Sequence, residues 1–432
     1  MNKKISQPKI LAPVNDFTSL KAAIDAGADE IYFGIQGFNM RATAKNFSIG
    51  DLKKIAKECH ERDVKAILAL NIIIYENETK IISDIVRKAK AARIDAIVAW
   101  DMSVIQECVK QKMNIHLSTQ NSISNYDALK FYKKQIPTLK RVVLARECSL
   151  EDIKTIIKKI HKDKLKIEIE TFIHGAMCVS ISGRCMLSHH LFGKSANRGE
   201  CLQPCRRNYE VYEIRSTDKI DKLDGRNEFL LGEDCIISPK DLCTLPFIEK
   251  LVDAGIDVFK IEGRNRSPEY ISTTVKVYKD VIGFYEHNKL KISKNKEFKE
   301  EYKWLKEKNL NKLREVFNRG FSNGFYLGKP VDEWSSSRTG EQTTMKLFVG
   351  KVTNYYPKIN VAEITLEDHP INKNDLIIIQ GSTTGNYDVK VLDMKDKDGS
   401  TERAIKGMVV GIKVGVKVRK NDQVYKVVEK KI

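Results

Sequence analysis

"KILAPVNDFTSLKAAIDAGADEIYFGI" spans residues 9–35. It opens with the apolar run KILAPV (9–14) and closes with EIYFGI (30–35). Between them, FTSLKAAIDAGA repeats apolar residues at three- and four-residue spacing. Short apolar runs without polar alternation mark strands buried on both faces, and the 3.6-residue period marks an amphipathic helix. The stretch therefore reads as strand, helix, parallel strand.

The same unit recurs on the C-terminal side. Further strands are expected at VKAILALN (64–71), AIVAW (96–100), NIHLS (114–118), RVVLA (141–145), KIEIETFI (166–173) and DVFKIEG (257–263). Helical stretches such as SIGDLKKIAKECHERD, KIISDIVRKAKAARI and SLEDIKTIIKKIHKD separate them. Eight strands in βα alternation predict an α/β fold, a (β/α)8 TIM-like barrel. An open doubly wound sheet is the competing arrangement, but no GxGxxG follows the first strand.

The alternation breaks once, over residues 175–256, after the seventh strand. That insertion holds four cysteines and the β-like pieces NYEVYEI and EFLLGEDCIIS. Its position is the C-terminal face of the barrel, where catalytic loops of this fold gather. A long helix is expected from Ser267 as N-cap, with Pro268 and Glu269 in its first turn, and a charged helical stretch runs to about residue 317. The barrel domain is thus expected over 1–335. From residue 340 to 432 the pattern changes to period two, with six runs joined by Asp, Gly and Asn turns. This predicts a small antiparallel β-barrel.

The 432-residue chain is 42% hydrophobic and 31% charged, which suits globular cores. No apolar run reaches the length of a membrane span, and MNKKISQPKILAPVND lacks the apolar region of a signal peptide. A cytoplasmic location is expected, with no membrane partner. The net charge of +18 favours a polyanionic partner such as RNA. Lys406, Lys413, Lys417, Arg419 and Lys420 near the C-terminus are candidate phosphate contacts, and Phe321 and Phe325, with Arg319 and Tyr326, are candidate base-stacking or core-capping residues.

Cys178, Cys185, Cys201 and Cys205 follow a C-x6-C-x15-C-x3-C spacing. In a reducing compartment such a cluster suits metal more than disulfides. The first pair is too widely spaced for a zinc knuckle, so a 4Fe-4S cluster is favoured over structural zinc. Cys235 and Cys243, which flank IISPKDL in the insertion, are the rivals for the fourth ligand position, Cys235 before Cys243. Cys59, Cys108 and Cys148 fall on or beside apolar patterns and read as core residues. HERDV at His60 lacks the second histidine of HExxH, and GKSAN at Gly193 is not GxSxG. A Cys–His pairing with His174, His189 or His190 is the remaining protease arrangement.

ETFIHGAMCVSISGRCMLS (Glu170–Ser188) resembles the signature of peptidase family U32, the collagenase-like peptidases: Glu-x-Phe, two residues, Gly-Ala-aliphatic-Cys, four residues, Gly-x-Cys-x-aliphatic-Ser. KSANRGECLQPCRRNYE, SPKDLC and KIEGRNRSPEYI match further segments in the family's order. The resemblance implies either a protease or an oxygen-independent hydroxylation protein carrying a 4Fe-4S cluster. In the RNA branch it implies 5-hydroxyuridine at the tRNA wobble position, or an rRNA cytidine as alternative, with prephenate as hydroxyl source. It further implies Cys178, Cys185, Cys201 and Cys205 as ligands, and a possible paralogous partner subunit.

Polar residues at the strand ends complete the expected site. Arg41 and Asn46 follow the second strand, Asn71 the third, Gln120 the fifth and Arg146 the sixth. These are the candidate substrate-binding residues, since guanidinium forks match carboxylates bidentately. Glu262 and Arg264 after the eighth strand, and His174 after the seventh, are the candidate catalytic residues.

Overall fold

The computed structural model describes residues 7–209, 235, 237–331, 333–337 and 339–430. In chain order the barrel half comprises β1 (Lys9–Pro13), α1 (Phe17–Asp25), β2 (Glu30–Gly34), α2 (Leu52–His60), β3 (Lys65–Leu70), α3 (Thr79–Ala91) and β4 (Ala96–Ala99). It continues with α4 (Met102–Lys110), β5 (Ile115–Leu117), α5 (Tyr126–Gln135), β6 (Leu139–Val143), α6 (Leu150–Lys162) and β7 (Glu168–Gly175). After the cysteine-bearing segment and its short α7 (Leu187–Phe192) come β8 (Asp241–Cys243), α8 (Ile248–Asp253), β9 (Val258–Ile261), α9 (Pro268–Lys294), α10 (Lys296–Glu315) and β10 (Phe321–Ser322).

β1 to β7 pair in sequence order, all parallel, and β9 pairs in parallel with both β7 and β1. The sheet is therefore a closed eight-stranded barrel, as the alternation predicts. Helix starts follow their local chemistry: at α6, Ser149 and Asp152 form a reciprocal capping box. Ser267 sits at the N-cap of α9 with Pro268 behind it, but its side chain makes no capping bond.

Outward residues of the strands join the helices in one large core, which also buries Cys59, Cys108, Cys148 and Cys243. Inward residues form two layers. At the N-terminal end, Arg141 is fully buried and its guanidinium meets Glu30 at 2.6 Å, Glu168 at 2.7 Å and Glu170 at 3.0 Å. Lys260 completes the layer on Glu170 at 2.6 Å. Above them Leu11, Tyr32, Ile67, Ala96, Val98 and Val258 pack together.

β7 carries the feature that shapes the site. In its pairing with β9, Phe172 faces Lys260 but His174 faces Ile261, so one extra residue bulges out between them. A bulge reverses which face the following side chain takes. At its end, Gly175 adopts φ +106°, and a Cβ there would lie 2.4 Å from Glu262 O. Only glycine lets the two strand ends meet. β8 then pairs antiparallel with this end of β7, and β10 pairs with β8. Neither β8 nor the one-and-a-half-turn α8 is expected from sequence. The β-like pieces NYEVYEI and EFLLGEDCIIS fall largely outside the described residues.

The C-terminal part builds β11 (Thr344–Tyr356), β12 (Val361–Leu366), β13 (Ile371–Asn372), β14 (Leu376–Gly381), β15 (Gly385–Lys390), β16 (Met394–Asp396), β17 (Gly399–Ser400), β18 (Arg403–Ala404), β19 (Val409–Lys413) and β20 (Gln423–Glu429). Eight of these form an antiparallel sheet in the order β15-β14-β20-β11-β12-β19-β16-β17, and β13 pairs with β18. Both sheets contribute to a separate apolar core. The six expected runs are there; YDVKVLDMKD divides between β15 and β16, and β13, β17 and β18 are added. Glu269 at the start of α9 holds this part through Lys346 at 3.0 Å and Gln380 at 2.8 Å. No helix among the described residues is long and apolar enough to cross a membrane.

Candidate functional site

A cavity of about 170 Å3 opens at the C-terminal mouth of the barrel. Cys178, Cys185, Cys201 and Cys205 all line it, together with Arg41, Asn71, Gln120, Arg146, Glu262 and Arg264. Ten of the expected site residues thus converge from five strand ends and the inserted segment.

The loop after β2 supplies Arg41, whose Nη2 donates to Glu262 Oε1 at 2.8 Å. Glu262 extends β9 inward. Burial pushes its carboxyl up, but Arg41, Arg146 and Arg266 outweigh this and hold it below the ordinary range. Arg264 is buried, which draws its guanidinium down to about 10, so it stays charged at neutral pH. Its Nη1 donates at 3.0 Å to Asn39 Oδ1. Arg146 stacks over the Phe172 ring at 3.9 Å and donates to Ala176 O at 2.8 Å, two residues before Cys178. Arg41, Arg146 and Arg264 therefore share this cavity with Arg206, Arg319 and one carboxylate, Glu262.

Asn71 and Gln120 form a crossed amide pair. Asn71 Nδ2 donates to Gln120 Oε1 at 3.1 Å, and Gln120 Nε2 returns a bond to Asn71 O at 3.0 Å. Ser118 Oγ braces Gln120 at 2.9 Å.

The cysteine segment is fastened onto the barrel mouth. Arg198 pairs with Glu78 at 2.6 Å and donates to Ile73 O. Gly199 has φ +87°, and a Cβ there would sit 2.1 Å from Asn39 O. That contact seats the segment against the Arg41 loop. Cys178 Sγ lies 2.9 Å from Ser180 Oγ, and Leu187 N–H donates to Cys185 Sγ at 3.4 Å. Burial pushes the Cys201 and Cys205 thiols up, and neighbouring cysteines push the same way, so bare thiolates repel one another here.

Among the described residues, no three His, Cys, Asp or Glu side chains converge on one point that could hold a single metal ion. All four thiols line the cavity. Four cysteine thiolates are the donor set of a 4Fe-4S cluster, one at each iron, and also of a structural zinc ion. Cys235 is buried away from the cavity, with its Sγ 3.7 Å from Asn208 Oδ1.

Two expected site residues fall elsewhere. The bulge turns His174 out of the barrel, between the rings of Tyr270, Tyr278 and Phe321. It is 2% exposed, and burial draws its imidazole down to about 3. It is a neutral packing residue behind the wall, and the catalytic role expected for it is withdrawn. Asn46 does not line the cavity either. Its amide donates to Arg41 O at 2.8 Å and Ala44 O at 2.9 Å, which shapes the loop, so it supports Arg41 instead of touching a substrate.

Other lining residues are absent from the sequence-based set. Tyr32, Ser118, Lys260, Arg206 and Arg319 line the cavity, and buried Asn39 positions both Arg264 and the Arg41 backbone. Strand alternation alone locates Tyr32 and Lys260 on the inward face. Phe321 and Phe325 pack against the barrel core and Tyr326 Oη donates to Phe172 O, so this turn caps the core and offers no stacking platform.

The sequence profile of peptidase family U32 matches residues 15–336. A collagenase of Porphyromonas gingivalis is 40% identical over 427 residues, covering 97% of each chain. An uncharacterized protease of Methanocaldococcus jannaschii is 38% identical over 425 residues, covering 96% of this chain and 97% of that protein. The tRNA hydroxylation protein P1 of Bacillus subtilis is 34% identical over 402 residues, covering 91% of this chain and 88% of that protein. Barrel, cysteine segment and signature agree with these likenesses: the chain belongs to peptidase family U32.

Proposed function

We propose that this protein is an RNA-hydroxylating enzyme that forms 5-hydroxyuridine at the tRNA wobble position without molecular oxygen. The observation that carries the reading is the shared cavity, in which four cysteines stand beside five guanidiniums, Arg41, Arg146 and Arg264 among them. Relatives named for tRNA hydroxylation and the net charge of +18 support an RNA substrate.

Cys178, Cys185, Cys201 and Cys205 would hold a 4Fe-4S cluster. When bound, such a cluster would relay electrons one at a time; replacing C–H by C–OH on a base is a net two-electron oxidation, so the hydroxyl donor would take up the electron pair as its C–O bond breaks. Arg41, Arg146 and Arg264 bind a small dicarboxylate, prephenate being the proposed hydroxyl source, and the Asn71–Gln120 pair orients its polar groups. Glu262 is ionised and offers Oε2 as a proton acceptor. A carboxylate ligand that draws Arg41 away removes its main counter-charge and makes it a stronger base.

The collagenase relative favours a second reading, a peptidase. A thiol nucleophile needs a nearby base. Among the described residues no histidine lines the cavity, and His189 and His190 are exposed on α7. The hydroxylase reading is therefore preferred. Mass spectrometry of tRNA nucleosides from a strain lacking this protein and any paralogue tests it: hydroxyuridine-derived nucleosides should disappear, and their persistence would overturn the reading.

A further inference from the structure

Arg206 follows Cys205 directly, and it is buried although it carries a full charge. Its guanidinium reaches in two directions. Nη2 donates to Met177 O, in the residue before Cys178. Nη1 donates to Ser238 Oγ at 2.8 Å and to Pro239 O. Residues 177 and 206 bracket all four cavity cysteines, so one side chain ties the end of the 178–205 segment to its own beginning.

The other end of this link is itself fixed. Ser335 N–H donates to Ser238 O at 2.7 Å, and two residues beyond Pro239 the chain enters β8, which pairs with both β7 and β10. Arg198 and Gly199 secure the middle of the segment on the barrel mouth. Arg206 secures its two ends. Closing a loop of this length in the absence of metal costs entropy, and a buried guanidinium fork bonded to three oxygens meets that cost before any ligand binds.

We propose that Arg206 is a positioning residue that clasps the cysteine segment into a preformed cradle, so that the thiols are placed before iron and sulfide arrive. This rests on the cluster reading given above. A lysine cannot replace it, because a single ammonium lacks the planar fork that reaches Met177 O and the Ser238–Pro239 pair together. Arg207, its exposed neighbour, lies 4.6 Å over the Phe192 ring and makes none of these bonds, which makes it the natural control.

The test uses the full chain, reconstituted anaerobically with iron and sulfide, as wild type, Arg206→Ala, Arg206→Lys and Arg207→Ala. The readouts are iron and sulfide per chain, the rate of iron loss to a chelator, and thermal unfolding of the metal-free proteins. Arg206→Ala and Arg206→Lys are expected to lose iron about 10–100-fold faster than wild type, the range typical of residues that orient metal ligands. Arg207→Ala should match wild type. Metal-free Arg206→Lys should unfold near the wild-type temperature, which separates a clasp from a general fold defect. If Arg206→Ala does not fold, Arg206→Lys and Ser238→Ala decide. Wild-type iron retention in Arg206→Lys would overturn the clasp. Absence of iron and sulfide from the wild type would overturn the cluster reading and the clasp with it.

Discussion

Arg41 Nη2 and Glu262 Oε1 are 2.8 Å apart across the mouth of the barrel, joining the loop after β2 to the end of β9. The pair links substrate charge to site chemistry, because any carboxylate that engages Arg41 competes with Glu262. Arg41→Ala is expected to weaken binding of prephenate by about 10-fold or more, the loss of one charge-assisted hydrogen bond. Glu262→Gln should instead leave binding intact or tighter while slowing turnover. Isothermal titration with prephenate, beside turnover, separates the two.

His174 predicts acid sensitivity. Its imidazole is drawn down to about 3 in the fold, against an ordinary value near 6.5. The unfolded chain therefore binds the proton first as pH falls. Stability contributed by the neutral ring is full above pH 6.5 and declines by about 1.4 kcal/mol per pH unit below it, down to about pH 3. His174→Leu should flatten urea-midpoint against pH in this window, with activity retained at neutral pH. Loss of turnover in a fully folded His174→Leu would restore the catalytic role.

Arg141 predicts a stability effect without a site effect. Arg141→Leu strands Glu30 and Glu170 in the barrel interior with one cation removed. Breaking a buried ion pair from one side costs about 3–5 kcal/mol. Denaturant unfolding should show a loss of this order. A change under about 1 kcal/mol would mean that water or protonation compensates.

Gly199→Ala places a methyl group 2.1 Å from Asn39 O in a left-handed backbone. The segment must lift away from the Arg41 loop. The expected outcome is a loss of about 1–3 kcal/mol together with lower iron retention, checked by thermal unfolding and metal analysis.

The barrel was legible because strands covered on both faces leave near-continuous apolar runs, as at KAILAL in β3, with amphipathic helices between them. The cavity residues were legible for a related reason: polar side chains directly after such strands project from the C-terminal mouth, which located Arg41, Asn71, Gln120, Arg146, Glu262 and Arg264. What strand periodicity misses is a change of parity. His174 continues the inward alternation of Glu170 and Phe172, and the bulge between Phe172 and His174 leaves no compositional mark. Asn39 and Asn46 look equivalent in sequence, and only the loop's path makes one a bridge to Arg264 and the other a brace. β8 is three residues long, too short for any period, so the anchor of Arg206 was invisible.

The most direct measurement of the central claim is anaerobic hydroxylation of a tRNA transcript by the purified, reconstituted protein in the presence of prephenate, read by nucleoside mass spectrometry. The account predicts 5-hydroxyuridine at the wobble position with wild type, and none with Cys205→Ala or without prephenate. Unmodified uridine with the loaded wild type, alongside gelatin cleavage that survives Cys205→Ala, would contradict it.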